Sequence, residues 1–105
     1  MRVYISGPVT DATPEQLENF ALCEEDVQGN GHTPVNPLTI VGDYAEMLGI
    51  ASDDVAHEEA MRLCIGALLT CDMVHLLPGI EYSEGALLEM AVAQAVGMEV
   101  EEWSR

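Results

Sequence analysis

The stretch that most constrains the fold runs from Met73-Val74-His75-Leu76-Leu77 through Pro78-Gly79 to Ser83-Glu84-Gly85-Ala86-Leu87-Leu88-Glu89. A nearly continuous apolar run of that length reads as a strand buried on both faces, the kind found in parallel sheets covered by helices. Pro78-Gly79 breaks the run, and Ser83 stands where a helix N-cap belongs. A glycine then sits in the first turn, and the Glu89 carboxylate lies one turn above it. Helix residues four apart share a face, so Gly85 clears the surface beside Glu89 and leaves that carboxylate open to a ligand. Strand–loop–helix junctions of this kind are where open α/β sheets bind small molecules.

The rest of the chain repeats the same alternation. Val3 to Ile5 forms a strand that ends in the turn Ser6-Gly7-Pro8. Thr13-Pro14-Glu15-Gln16 is a full helix start, with Thr as N-cap, Pro at the first position and Gln three residues beyond the cap. Leu17, Phe20 or Ala21, Glu24 and Val27 follow at helical spacing, and Gly29 and Gly31 stop the helix. Thr33-Pro34-Val35-Asn36-Pro37 is extended, because residues before proline avoid the helical region. Leu38 to Ile50 is the least regular part, expected as a loop with a short helix that serves as a flexible lid. Ser52-Asp53-Asp54 starts the next helix, with acids favoured at its positive end. Its apolar stripe runs through Ala60, Cys64, Ala67 or Leu68 and Cys71. A further helix spans about Glu84 to Val96 and stops at Gly97, and Met98-Glu99-Val100 makes a last short strand. The expectation is an α/β fold: one small Rossmann-like or flavodoxin-like domain over residues 1–105, with three layers and four to five parallel strands.

Charge excludes several functions. Nineteen acidic residues face three arginines and no lysine, giving a formal net charge of −16. Nucleic acids are recognised largely by Lys and Arg neutralising phosphates, so no direct DNA or RNA binding is expected. The same balance resembles the surfaces of salt-adapted proteins, where salt screens self-repulsion, and a halophilic source is the hypothesis it raises. No apolar run approaches the roughly 20 residues that span a bilayer, so no membrane partner is expected. The N-terminus lacks the apolar core of a signal peptide, which makes the cytoplasm the expected location. Cys23, Cys64 and Cys71 are odd in number and form no Cys-x-x-Cys pair, while His32, His57 and His75 are scattered. Reduced, buried thiols are expected, with neither disulfides nor a zinc site, no metal and no cofactor.

Three segments should converge at the carboxyl ends of the strands: Tyr4 to Thr10, Asn36 with Pro37, and Pro78 to Glu89. Ser6, Gly7 and Pro8 offer a tight turn with backbone donors. At the second helix-bearing junction, Ser83 caps and the helix's positive end favours an anionic group. Each has a plainer alternative. Gly85 serves close packing equally well, Tyr4 is equally a strand residue with a satisfied hydroxyl, and Glu89 is either on a solvated face or a site residue, because uncompensated burial is expensive. Asp72 reads as a turn or capping residue, His75 as a core histidine, and His57 with Glu58-Glu59 as a solvated face.

Val3-Tyr4-Ile5-Ser6-Gly7-Pro8, Thr33-Pro34-Val35-Asn36-Pro37, and Cys71 to Gly79 followed by Ser83-x-Gly85-x-x-x-Glu89 together resemble the nucleoside 2-deoxyribosyltransferase-like superfamily. The match is with its small branch of unknown function common in phages and prophages. It spans most of the chain, excepting roughly residues 38 to 56 and the last few. The resemblance implies a nucleoside- or nucleotide-binding protein, with N-deoxyribosyltransferase or deoxynucleotide N-glycosidase activity through a Glu89 glycosyl-enzyme intermediate. Tyr4 would hold the nucleophile, and Ser6, Gly7, Pro8, Asn36, Gly79, Ser83 and Gly85 would line the substrate site. It also implies a homo-oligomer in which a neighbour completes the site. The pattern departs from the family at Met61-Arg62-Leu63-Cys64-Ile65, where Cys64 stands in place of an aspartate that assists at the base. A thiol is a poor replacement for a carboxyl proton donor. The alternatives are a non-catalytic module that sequesters a nucleotide, a phosphoribohydrolase of the lysine-decarboxylase-like type, loosely echoed by Pro78-Gly79 and Glu89, and a structural oligomer.

Overall fold

Residues 1–105 are all described by a computed structural model, in which strands and helices alternate as β1 Arg2–Ser6, α1 Pro14–Gly29, β2 Thr33–Val35, α2 Pro37–Leu48, α3 His57–Leu68, β3 Met73–Leu76, α4 Glu84–Ala95 and β4 Glu99–Glu102. The four strands form one parallel sheet in the order β2-β1-β3-β4. The chain steps from β1 outward to β2, then returns to the other side of β1 for β3. That reversal makes the carboxyl ends of β1 and β3 the switch point of the sheet, where crevices form in such folds.

Side chains alternate across the sheet because the strand period is two. Val3, Ile5, Met73 and Leu77 pack on one face against Phe20, Cys23 and Val27 of α1. Tyr4, Val74 and Leu76 pack on the other against Cys64 and Leu68 of α3 and Ala93 of α4, with Ile40 and Val41 of α2 at the border. The result is the small three-layer, Rossmann-like α/β fold expected from the alternation. Asp72 fastens the amino ends of the central strands: its carboxylate accepts from the Arg2 backbone N–H at 2.8 Å, and its own N–H donates to the Arg2 carbonyl at 2.8 Å. After β4, the Trp103 indole N–H donates to the Asp26 carboxylate at 3.0 Å and ties the C-terminal residues to α1. No helix is long and apolar enough to cross a membrane.

Several elements differ from expectation. The segment expected as a loop or lid is the regular helix α2, which Asn36 caps through a bond from the Leu38 N–H at 3.0 Å. Ile40, Val41, Tyr44, Ala45 and Leu48 recur at helical spacing there, and one interior glycine does not outweigh that stripe. Ser52-Asp53-Asp54 forms an isolated 3₁₀ turn instead of opening α3, which begins at His57 after extended Val55 and Ala56. In α1 the inward stripe is Phe20, Cys23 and Val27, with Leu17 left exposed. His75 is half-buried, not core: its ring lies between Cys23 Sγ, 3.9 Å from Nδ1, and the Glu101 carboxylate, 3.7 Å from Nε2 on the neighbouring strand.

Candidate functional site

Glu89 points inward from the middle of α4 and is only 5 % exposed. Burial of a carboxylate demands partners, and two hydroxyls of β1 supply them. Tyr4 Oη donates to Oε2 at 2.5 Å, and Ser6 Oγ donates to Oε1 at 2.8 Å. The Tyr4 bond has the short length typical of a hydroxyl donating to a carboxylate, and the Ser6 bond has the ordinary length of a hydroxyl hydrogen bond. Residues 4 and 6 share a face because they are two apart on a strand, and that face looks toward α4. Ser6 is the last residue of β1, so the cluster lies at the carboxyl end of the central strand, beside the switch point.

The electrostatics follow from burial. Desolvation pushes the Glu89 carboxyl above the usual carboxylate range, and the Tyr4 and Ser6 hydroxyls pull it partly back. Burial, then the adjacent Glu89 charge, holds the Tyr4 phenol far above its ordinary value, which keeps it a hydrogen-bond donor. Cys64 borders the same cluster from α3. Its thiol is pushed up to about 11 by burial, against the Tyr4 hydroxyl and with the Glu89 charge, so it stays protonated at neutral pH.

The remaining residues singled out in the sequence divide by what their atoms do. Ser83 caps α4, its Oγ accepting from the Ala86 N–H at 3.2 Å. Asn36 is one strand away, its side chain engaged at the start of α2. The spaces left by the three glycines are filled by protein. A Cβ on Gly7 would stand 2.9 Å from Leu77 Cβ, so its absence lets the ends of β1 and β3 close together. Gly79 adopts φ +92°, and a Cβ there would lie 2.8 Å from Gln16 Nε2 and 3.5 Å from Pro8 Cγ. At Gly85 a Cβ would meet Met61 Sδ at 3.3 Å. The open approach to Glu89 expected over Gly85 is therefore covered, because α3 lays Met61 across it. Local spacing assigns Met61 no role, although it stands three residues before Cys64 on the stripe that packs inward. A groove of about 290 Å³ lies past the carboxyl ends of β3 and β4, lined by Leu76 to Glu81 and by Glu102, Trp103 and Ser104, and none of Tyr4, Ser6 and Glu89 lines it.

A family model described as a domain of unknown function, DUF4406, matches residues 1–102. The structure is similar to a 2-deoxyribosyltransferase from the psychrotolerant bacterium Bacillus psychrosaccharolyticus, with a TM-score of 0.72 and 18 % identity over 97 % of this chain and 71 % of that one. It is also similar to a CMP N-glycosidase of Clostridium botulinum, with a TM-score of 0.64 and 18 % identity over 97 % of this chain and 67 % of that one. At such identity the likeness establishes a shared fold. No curated protein sequence matches the chain.

Proposed function

Because the chain belongs to the DUF4406 family of domains of unknown function and has the fold of the nucleoside 2-deoxyribosyltransferase-like superfamily, we propose that it binds a nucleoside or nucleotide with the sugar against Glu89. The observation that carries this reading is the buried Glu89 carboxylate gripped by Tyr4 and Ser6 at the sheet's switch point. A carboxylate in the interior with no cation beside it is costly, and such perturbed groups concentrate at sites of chemistry.

The reaction this arrangement suits is glycosyl transfer through a covalent intermediate. Each Glu89 oxygen accepts one hydroxyl and keeps a lone pair. One of them attacks the anomeric carbon of a deoxyribosyl unit, and the bond from that carbon to the base nitrogen breaks with its electron pair leaving on the base. Water protonates the base. Water or a second base then attacks the same carbon, the bond from that carbon to the Glu89 oxygen breaks with its electron pair restoring the carboxylate, and the proton lost by the attacker neutralises the hydroxide left when water protonated the first base, as in retaining glycosidases. Tyr4 and Ser6 hold the nucleophile's plane fixed throughout, and Met61 is the side chain that moves aside to admit the sugar. Its thioether is suited to that, having three flexible torsions.

A second reading rests on Cys64. The cluster holds no carboxylic acid to protonate the departing base, and a thiol held near 11 is a weak donor at neutral pH. That favours a module that retains a nucleotide without turning it over. Incubation with a panel of deoxynucleosides and their monophosphates, followed by chromatography for free base, separates the two. Base release that disappears in Glu89→Gln supports glycosyl transfer. Ligand-induced thermal shifts without release support retention. Neither shift nor release overturns the nucleoside site itself.

A further inference from the structure

Both hydroxyl protons of the Glu89 cluster are already committed, because Tyr4 and Ser6 each donate to the carboxylate. Cys64 adds a thiol and Met61 a thioether, and no second carboxyl or imidazole joins them. His57, one turn before Met61 on α3, is exposed to solvent. His75 lies against Cys23 on the other face of the sheet, and His32 stands beside the N-terminal amine. For an ordinary nucleoside this inventory is a handicap. As the glycosidic bond breaks, the negative charge of Glu89 passes to a base that finds no donor to receive it. A base that already carries a fixed positive charge reverses the balance. Its charge and that of Glu89 cancel as the bond breaks, and a site with little water favours a step in which charges disappear.

We infer that the substrate is a deoxynucleoside with a cationic base, a pyridinium or a ring-alkylated purine, an inference that rests on the glycosyl-transfer reading above. The charge of the whole chain suits the same class. Its net charge is −16 without a lysine, and Glu81 and Glu84 stand on the loop and first turn that lead into α4. That field draws cations in and holds phosphorylated ligands off. One Glu89 oxygen attacks the anomeric carbon, the carbon–nitrogen bond breaks, and its electron pair stays on the ring nitrogen and neutralises it. The base leaves without taking a proton. Water then attacks the same carbon, the carboxylate is restored, and the proton lost by that water passes to solvent. Each turnover therefore releases one proton to the medium, which hydrolysis of a neutral nucleoside does not.

The test compares nicotinamide 2′-deoxyriboside, whose charge is permanent, with neutral 2′-deoxycytidine. Both are incubated with the whole chain at neutral pH, and freed nicotinamide and cytosine are followed by chromatography. Dividing each rate by that of spontaneous hydrolysis removes the intrinsic lability of the pyridinium bond. The expected preference for the cation is at least about 100-fold, the low end of what a general acid contributes where one is needed. Proton release should match nicotinamide release one for one, and Glu89→Gln should abolish both. Cys64→Asp, which sets a carboxyl in the cluster, should narrow the preference by speeding release from deoxycytidine. Equal acceleration, or a larger one for deoxycytidine, overturns the inference and leaves the glycosyl-transfer reading standing. So does a folded Cys64→Asp protein with an unchanged preference. Release from neither compound, or release that persists in Glu89→Gln, overturns both.

Discussion

Glu89 concentrates the residue-scale physics of this protein. Its carboxyl is raised by burial, so between the ordinary carboxylate pKa and its own raised value the folded state holds a proton that the unfolded chain has lost. Stability from this group is therefore complete at acid pH and is lost as pH climbs through the raised pKa. Glu89→Gln keeps a carbonyl to accept one hydroxyl and an amide to donate to the other, without the buried charge. The expected outcome is a variant more stable than wild type by about 0.5–2 kcal/mol at neutral pH, the gain shrinking to nothing below about pH 4. Thermal melts at several pH values check this. A variant less stable at neutral pH would mean that the two hydroxyl bonds outweigh the desolvation they offset.

At the scale of elements, the junction of β1 and β3 holds the site in register. Gly7 follows Ser6 directly, and Leu77 fills the space where a side chain would stand. Gly7→Ala forces the two strand ends apart at a point where backbone, not a flexible tip, must yield. The expected cost is about 1–3 kcal/mol, typical of overpacking, measurable by urea or thermal denaturation. The same displacement carries Ser6 away from Glu89, so any ligand-induced thermal shift should fall along with stability. Met61 acts from a different element. Met61→Ala uncovers the approach over Gly85, and the measurable expectation is tighter nucleoside or nucleotide binding despite a modestly lower melting temperature.

Across the whole molecule the governing quantity is charge. Of nineteen acidic residues only Glu25 and Asp26 pair with an arginine, both with Arg105. The rest repel one another through solvent, over a range that salt shortens from about 10 Å at 0.1 M to about 3 Å at 1 M. The melting temperature should therefore rise from low to molar salt at neutral pH. Higher stability at low salt would remove self-repulsion as a controlling term.

How much of this was legible beforehand depends on the range of the forces involved. Helix caps, proline breaks and apolar periodicity act over a few residues. They determined that Thr13 and Ser83 start helices, that Met73 to Leu77 is an interior strand, and that the whole is a parallel α/β sheet. Spacing alone put Gly85 and Glu89 on adjacent turns of one helix. Periodicity misled where a lone glycine interrupted it, as in α2, and where two acids suggested a helix start that the backbone does not use, at Ser52 to Asp54. Contacts between residues far apart in the chain were beyond its reach. That Tyr4 and Ser6, more than eighty positions before Glu89, both donate to it, and that Met61 covers the glycine expected to expose it, depends on how three elements pack. The sequence determined by itself that a carboxylate would sit at this junction. Only the packing of α3 and β1 around α4 decided that it is buried, held from one side and covered from another, because desolvation and side-chain contact arise from the assembled whole.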